Sequence, residues 1–180
     1  MLFRSDQVEK VYFAGGEPLL MDEHWQILEM LDKKQRYDVI ITYNTNMSKL
    51  TYKSKNVLDY WKKWGRKIWL WPSIDEIDER AELIRSGTDW KNVESNLKEA
   101  VKLNIHVKPS MTVSAFNVFR IPEVVNRMVD IGVIRSDDEY FQNFSFNVLE
   151  YPSMYHVSIL PQDYRQEIRE NLKKIGRAHV

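Results

Sequence analysis

A Gly-Gly-Glu-Pro stretch is the part of this sequence whose residue types are best suited to chemistry. It occupies residues 15–18 and follows a short apolar, aromatic run at 11–14. Gly15 and Gly16 lack a Cβ, so their backbone can adopt positive φ and let a ligand approach closely. Glu17 adds a carboxylate that can accept strong hydrogen bonds from a cation, and Pro18 fixes the exit of the loop. The stretch is a candidate binding loop, and an ordinary turn with a solvated glutamate is the alternative.

Polar residues also follow the other predicted strands. The carboxyl ends of parallel strands meet on one face of an α/β sheet or barrel, so we expect these side chains to share a site with Glu17. Turn geometry for the asparagines and helix capping for Asp75 are the competing explanations. The strand-end candidates are Asn44, Asn46, Ser73, Asp75 and Thr112, with Glu150 and Tyr151 further along.

Strands and helices alternate along the whole chain. β-Branched and aromatic runs predict strands, and helical spacing of apolar residues predicts the helices between them. Asp22 is expected to cap the first helix and Gly65 to end the second. Pro109 predicts irregular pairing within the fourth strand. The alternation indicates an α/β fold with right-handed crossovers and a parallel sheet. The predicted strands are 9–14, 37–42, 66–74, 105–113 and 140–149, and the helices are 22–31, 53–64, 76–84, 90–103, 121–131 and 161–175.

Composition limits the classes of function. The chain has 180 residues, which predicts a single domain over 1–180, and 26 basic residues balance 26 acidic ones, which gives no basic field for nucleic acid. No stretch is long enough to cross a bilayer and no signal peptide is evident, so a cytoplasmic location is expected. Cysteine is absent, and the four histidines lack the spacing of metal ligands, so no metal site is expected.

These motifs resemble those of the radical S-adenosylmethionine (SAM) superfamily, from the second strand of its partial barrel onwards. Residues 13–19 match the motif that binds the methionyl amino group of SAM in that family. Residues 42–46 resemble the end of the family's third strand. Residues 73–75 resemble the fourth-strand motif, in which glycine usually follows and Glu76 stands here. The resemblance therefore implies a partial parallel (β/α) barrel that lacks its first βα unit.

Three further stretches extend the resemblance. Residues 78–87 resemble a segment whose arginine pairs with the SAM carboxylate in several subfamilies, which implies that role for Arg85. Residues 112–117 resemble the fifth-strand exit and add Asn117 to the candidates; its alternative role is a helix cap. Residues 149–152 and 159–161 resemble the tail of the sixth strand in subfamilies with a twitch extension, so 150–180 is expected to lead into such an extension.

The resemblance also implies a cofactor set that this sequence does not complete. In that family a [4Fe–4S] cluster donates an electron to SAM, and the resulting radical abstracts hydrogen from the substrate. Three cysteines hold the cluster, and this chain has none. We therefore expect either a natural cluster-free relative or, in preference, a fragment of a radical SAM enzyme that binds SAM at strand ends and is inactive alone. No catalytic residue and no substrate is assigned.

Two other functions stay open. One is a non-catalytic barrel that binds a ligand or another protein, including a homodimer formed through the exposed edge of the first strand. The other is a barrel hydrolase that uses Glu17 and Asp75 as acid and base.

Overall fold

The computed structural model describes residues 7–134 and 143–173, which fall into two compact units. The first unit comprises Met1–Pro72 with Lys91–Lys108, and the second comprises Ser73–Trp90 with Pro109–Val180. The single domain expected over 1–180 stays a prediction. The strands are β1 (Lys10–Phe13), β2 (Ile40–Thr45), β3 (Thr51–Tyr52), β4 (Lys55–Asn56), β5 (Ile68–Pro72), β6 (His106–Val107), β7 (Ser110–Val113) and β8 (Ser145–Val148). The α-helices are α1 (Asp22–Lys33), α2 (Val57–Trp64), α3 (Asp78–Ile84), α4 (Trp90–Val101), α5 (Ile121–Asp130) and α6 (Gln162–Leu172).

A parallel sheet forms the centre of the first unit. Within the described residues its strand order is β1-β2-β5-β6, and β3 and β4 form a separate antiparallel hairpin. One face of the sheet carries fully buried residues such as Ile41, Tyr43 and Leu70. Tyr43 packs edge-on against Trp61 of α2, with ring centroids 5.4 Å apart. Burial of this face against helices is what makes the β-branched run of β2 form a strand.

The opposite face of β5 is more open. Ile68, Leu70 and Pro72 are buried, whereas Trp69 and Trp71 between them are half-buried, as the period of two in a strand requires. Trp71 meets Tyr12 of β1 edge-on at 6.2 Å. The two tryptophans therefore share one face of the strand.

The second unit contains β7, β8 and the helices α3, α5 and α6. Strands β7 and β8 pair in parallel, from Ser110 with Ser145 to Val113 with Val148. Pro122 lies in the first turn of α5, where proline is tolerated because its missing N–H would have no helical partner. Residues 140–142 of the predicted last strand and 174–175 of the predicted last helix lie outside the described residues.

The structure corrects several predicted element boundaries. β2 runs to Thr45, three residues beyond the predicted end, so Asn44 lies within the strand. The start of the predicted second helix, 53–56, belongs to the β3–β4 hairpin, where Lys53 has φ of 54° in the turn. Asp22 is the first residue of α1 rather than its cap, because Met21 occupies the cap position. Gly65 ends α2 as predicted.

Pro109 divides the predicted fourth strand in two. β6 ends at Val107 and β7 begins at Ser110, and these two strands belong to different sheets and to different units. Proline has no N–H to donate to a ladder, so pairing cannot continue through it on both sides. The predicted irregularity is confirmed, and it is larger than expected.

No described helix is long and apolar enough to span a membrane.

Candidate functional site

The Gly-Gly-Glu-Pro loop begins directly after β1. Gly15 has φ of 81° and Gly16 has φ of 49°, in the region that glycine adopts without strain. A Cβ added at either position would meet no atom within 4 Å, so the backbone geometry, rather than crowding, requires glycine. Both residues are exposed, and their backbone is open to a ligand.

Glu17 is held in place by three donors. Its Oε1 accepts hydrogen bonds from the Thr45 hydroxyl at 2.6 Å and from the Leu19 amide at 3.3 Å. Its Oε2 accepts one from the Asn46 amide at 2.8 Å. Glu17 has extended backbone, as expected before proline, and buried Pro18 starts a short 3₁₀ turn, Pro18–Leu20. The carboxylate is thus fixed between the loop after β1 and the end of β2.

All three of these donors are electrically neutral. Within residues 7–134 and 143–173, no lysine or arginine forms an ion pair with Glu17. A carboxylate offers about four acceptor positions, and Oε2 uses only one of its two. Glu17 therefore has no cationic partner among the described residues, and one acceptor position on Oε2 remains.

The two candidate asparagines on and after β2 differ in their surroundings. The side-chain carbonyl of Asn46 accepts a hydrogen bond from the Ser48 amide at 2.8 Å, which shapes the turn after the strand. The Asn44 Oδ1 atom is buried and has no hydrogen-bond partner among the described residues. A buried hydrogen-bond acceptor without a partner costs free energy, so Asn44 is the asparagine whose side chain still lacks a donor.

A neutral histidine–tyrosine pair lies beside the loop. His24 Nε2 is 3.1 Å from the hydroxyl of fully buried Tyr43. The Phe13 ring at the end of β1 meets His24 edge-on at 4.8 Å and stacks on Tyr43 at 5.3 Å. Burial lowers the pKa of His24 to about 4 and raises the pKa of Tyr43 above its ordinary value. Both groups are therefore uncharged at neutral pH.

The candidates of the second unit are largely bonded to one another. Asp75 Oδ2 accepts a hydrogen bond from Arg85 Nε at 2.6 Å, and Oδ1 accepts one from the Thr112 amide at 2.7 Å. Ser73 forms an isolated parallel bridge with Ser110. Arg85 is thus paired with a carboxylate of its own chain, and Asp75 connects the segment after Ser73 with β7.

Asn117 is almost fully buried and ties this arrangement together. Its side-chain amide donates to the backbone oxygens of Asp75 and Thr112, each at 2.9 Å, and its Oδ1 accepts from the Ser114 amide at 2.8 Å. It precedes the 3₁₀ helix Val118–Arg120 without a side-chain capping bond. Asn117 therefore connects two loops through side-chain hydrogen bonds instead of capping a helix.

Sequence reasoning missed a second buried carboxylate next to Asp75. The Glu76 side chain is fully buried, and its oxygens accept hydrogen bonds from the Ile77 amide at 3.0 Å and from Arg80 Nε at 3.3 Å. Arg120 Nε lies 3.3 Å from Oε2 of the same carboxylate. The unusual Glu76 where the resemblance expects glycine was the available signal, but its arginines are 4 and 44 residues away. Thr45, the anchor of Glu17, was missed because β2 was predicted to end at residue 42.

A cavity of about 590 Å³ opens beside these residues in the second unit. This volume lies within the range of small-molecule sites. The residues that line it include three sequence-predicted candidates, Asp75, Thr112 and Asn117, together with Arg80 and Tyr155. The structure thus brings the candidates together in two groups, one around Glu17 and one around this cavity. A single shared site stays a prediction.

The side chains present do not fit an iron–sulfur cluster. Such a cluster needs thiolate ligands, and the sequence contains no cysteine. The described residues also contain no group of three or more histidine, aspartate or glutamate side chains placed to hold a metal ion.

Parallel strands, crossover helices and a glycine-flanked carboxylate at a strand end define an α/β protein with a strand-end binding loop. The radical SAM superfamily profile matches residues 1–124. The chain belongs to the radical SAM superfamily. No curated protein sequence matches the chain.

Three solved structures share the fold of this chain, which confirms the predicted α/β fold of the partial-barrel type. SuiB from Streptococcus suis bound to precursor peptide SuiA is 16% identical, with a TM-score of 0.62 and coverage of 92% of this chain and 35% of that one. SuiB bound to S-adenosylmethionine is 18% identical, with a TM-score of 0.61 and coverage of 92% and 34%. A domain of pyruvate-formate lyase-activating enzyme from Bacteroides vulgatus ATCC 8482 is 13% identical, with a TM-score of 0.57 and coverage of 92% and 94%. The chain spans about a third of the SuiB chains.

Proposed function

We propose that this chain is the SAM-binding part of a radical SAM enzyme and that Glu17 receives the ammonium group of SAM. The observation that carries the proposal is the Glu17 carboxylate, which is fixed by neutral donors and keeps one acceptor position on Oε2. An ammonium with three N–H groups satisfies that position and balances the charge. Superfamily membership and the SAM-bound SuiB structure support this choice of ligand.

The chain's own residues prepare the carboxylate before any ligand arrives. Thr45 and the Asn46 amide fix the rotamer of Glu17, so little side-chain freedom is lost on binding. Gly15 and Gly16 are exposed and leave the backbone beside Glu17 open to a ligand. The exposed Asn46 side chain has an amide that can donate to a ligand carboxylate, while the buried Asn44 Oδ1 can accept from a donor.

We propose a different role for the candidate residues of the second unit. Ser73, Asp75, Arg85, Thr112 and Asn117 hold the loops around the cavity in the second unit. Both Asp75 oxygens and Arg85 Nε are engaged, so we propose that these residues shape a ligand-sized wall. Arg80 also lines the cavity, and because its Nε is paired with the buried Glu76 carboxylate it belongs to the same wall.

When bound, SAM is the precursor of the carbon-centred radical on which this superfamily's chemistry depends. The cluster that reduces it finds no ligands in this sequence. We therefore propose that the chain contributes SAM binding and positioning, and that it produces no radical by itself.

Calorimetric titration of the chain with SAM tests the proposal. Glu17→Gln removes the charge and should weaken SAM binding about tenfold or more, because a hydrogen bond to a charged group contributes about 1.5–3 kcal/mol. Glu9→Gln, which changes an exposed glutamate, is the matched control and should bind like the original chain. Methylthioadenosine, which lacks the ammonium, should bind the Glu17→Gln and Glu9→Gln variants with equal affinity. SAM affinity unchanged in Glu17→Gln, or no SAM binding at all, would contradict the proposal.

A second candidate function is self-association through β1. This strand lies at one end of the described sheet, and Tyr12 is 51% exposed. The Glu9 carbonyl accepts from the Ile40 amide on β2, so by alternation residue 12 points its N–H to the open edge. Such an edge can pair with a second copy of the chain.

Light scattering at micromolar concentration tests this dimer. Tyr12→Pro removes the outward N–H without touching a bond to β2 and should give a monomer. Tyr12→Thr retains the N–H and should stay dimeric. A monomeric original chain would exclude this candidate.

A further inference from the structure

An apolar cavity in the second unit is lined by none of the candidate site residues. Its volume is about 470 Å³, a size typical of small-molecule sites. It opens beside the face of β7 and β8 that carries Val113, Phe146 and Val148, and α6 forms another wall. Val113 is buried, whereas Val148 is 51% exposed, so the groove is closed at its base and open at β8.

The helix α6 divides its charges between two faces. Arg165, Ile168, Arg169 and Leu172 line the cavity, and their spacing of three and four residues places them on one stripe. The acidic residues of the helix, Asp163, Glu167 and Glu170, are not among the lining residues and share the opposite stripe by the same spacing. Only Ile168 of α6 is buried. The cavity therefore faces the basic, apolar side of an otherwise exposed helix.

The two arginines are not neutralised by the protein. Among the residues that the structure describes, neither guanidinium takes part in an ion pair, and no carboxylate lines the cavity. One helical turn separates them, so both can reach one carboxylate, a group that guanidinium binds with good geometry. An apolar cavity with two unpaired cations at its wall complements a molecule with an apolar body and an anionic head.

We propose that this cavity binds a small apolar carboxylate, with the hydrocarbon body against Val113, Ile121 and Ile168 and the carboxylate at Arg165 and Arg169. The occupant is a free small molecule, because the cavity has the volume of such a ligand and its cations are placed for one head group. The proposal goes beyond SAM binding and does not depend on it, since none of its residues belongs to the groups around Glu17 or Asp75.

Three probes with the same hydrocarbon chain and different head groups test the proposal: decanoate, 1-decanol and decyltrimethylammonium. Calorimetry gives the affinities, and the methyl signals of Ile121 and Ile168 report the place of binding, with Ile41 of the first unit as reference. Decanoate should bind at least about tenfold more tightly than decyltrimethylammonium, which corresponds to ~1.4 kcal/mol. It should shift the signals of Ile121 and Ile168 but not that of Ile41.

Matched variants separate the charge from the cavity. Arg165→Gln with Arg169→Gln should remove the preference for decanoate while 1-decanol still binds. Lys173→Gln changes a cation of the same region that pairs with Glu170 and does not line the cavity, and it should retain the preference. Val148→Trp, at an exposed position, should fill the groove and reduce binding of all three probes.

Several results would overturn the proposal. They are equal affinity for decanoate and decyltrimethylammonium, no decanoate binding, shifts confined to Ile41, or an arginine double variant that keeps the preference. Circular dichroism of each variant identifies loss of folding. If the Val148→Trp chain unfolds, the arginine variant and the three probes still decide the question.

Discussion

Glu17 in the first unit and Glu76 in the second are both carboxylates that follow a strand, yet they differ in burial and in the charge of their hydrogen-bond partners. Glu17 is half-buried and held by a hydroxyl and two backbone amides. Glu76 is fully buried and held by one backbone amide and two guanidiniums. The first keeps its charge uncompensated, and the second is neutralised within its own unit.

We propose that this difference separates a carboxylate that binds a ligand from one that has a structural role. Leaving a charge without a counterion is costly unless neutral donors or solvent stabilise it, and the remaining acceptor position then favours a cationic ligand. A carboxylate surrounded by arginines has few free acceptor positions and no uncompensated charge for a ligand, and it instead fixes the elements that carry those arginines. The same contrast holds between Glu17 and Asp75, which is paired with Arg85.

The largest effect on stability is expected for Glu76→Gln. Removing one partner of a buried ion pair typically costs 3–5 kcal/mol, and here about 3 kcal/mol is expected because Arg80 and Arg120 are partly exposed. Urea unfolding measures the change. The double variant Glu76→Gln with Arg80→Gln should recover part of the loss, since fewer uncompensated charges remain. A loss below about 1 kcal/mol would contradict a structural role for Glu76.

A smaller, pH-dependent effect is expected for His24. Its pKa is about 4 in the folded chain, below the ordinary 6.5 that the unfolded chain retains, so the unfolded state binds more protons between these values. Stability from neutral His24 is therefore complete above pH 6.5 and is lost as the pH falls towards 4. By pH 4.5 the loss should be about 2–3 kcal/mol.

Urea unfolding across this pH range measures the His24 effect. His24→Phe with Tyr43→Phe removes the titrating group and leaves no hydroxyl without a partner, so the pH dependence should become shallower. Phe13→Leu, which alters a ring in contact with His24 without adding or removing a titrating group, should lower stability with the slope unchanged. An unchanged slope in the double variant would show that His24 is not the origin.

The smallest effects on stability are expected for Glu17→Gln and Asp75→Asn, which sharpen the comparison directly. Glu17→Gln should lower the free energy of unfolding by about 1 kcal/mol, because the amide oxygen of glutamine can still accept hydrogen bonds from two of the three donors. Asp75→Asn should cost slightly more, about 1–2 kcal/mol, because it also leaves Arg85 without its partner. Thermal unfolding of the two variants side by side measures the difference. A larger loss for Glu17→Gln would identify Glu17 as the more structural of the two.

Local features of the fold could be predicted from the sequence. Gly15 and Gly16 adopt the positive φ that glycine permits, Glu17 is extended as a residue before proline should be, and Gly65 ends α2. The alternation of apolar strands with amphipathic helices predicted parallel pairing. Each of these depends on neighbouring residues, whose sterics and periodicity are written in the sequence. Strand ends were less accurate: β2 continues to Thr45 because pairing with β5 extends to Pro72.

What the sequence by itself determined is therefore the class of fold, the loop at residues 15–18 and the presence of acidic and basic residues at strand ends. Only the tertiary structure decided which of those charges are satisfied. Arg85 lies 10 residues from Asp75, and Arg120 lies 44 residues from Glu76. Whether a carboxylate is neutralised depends on such distant partners through distances of a few ångströms, and no local pattern encodes them. Among the described residues, Asp75 and Glu76 have arginine partners and Glu17 has none.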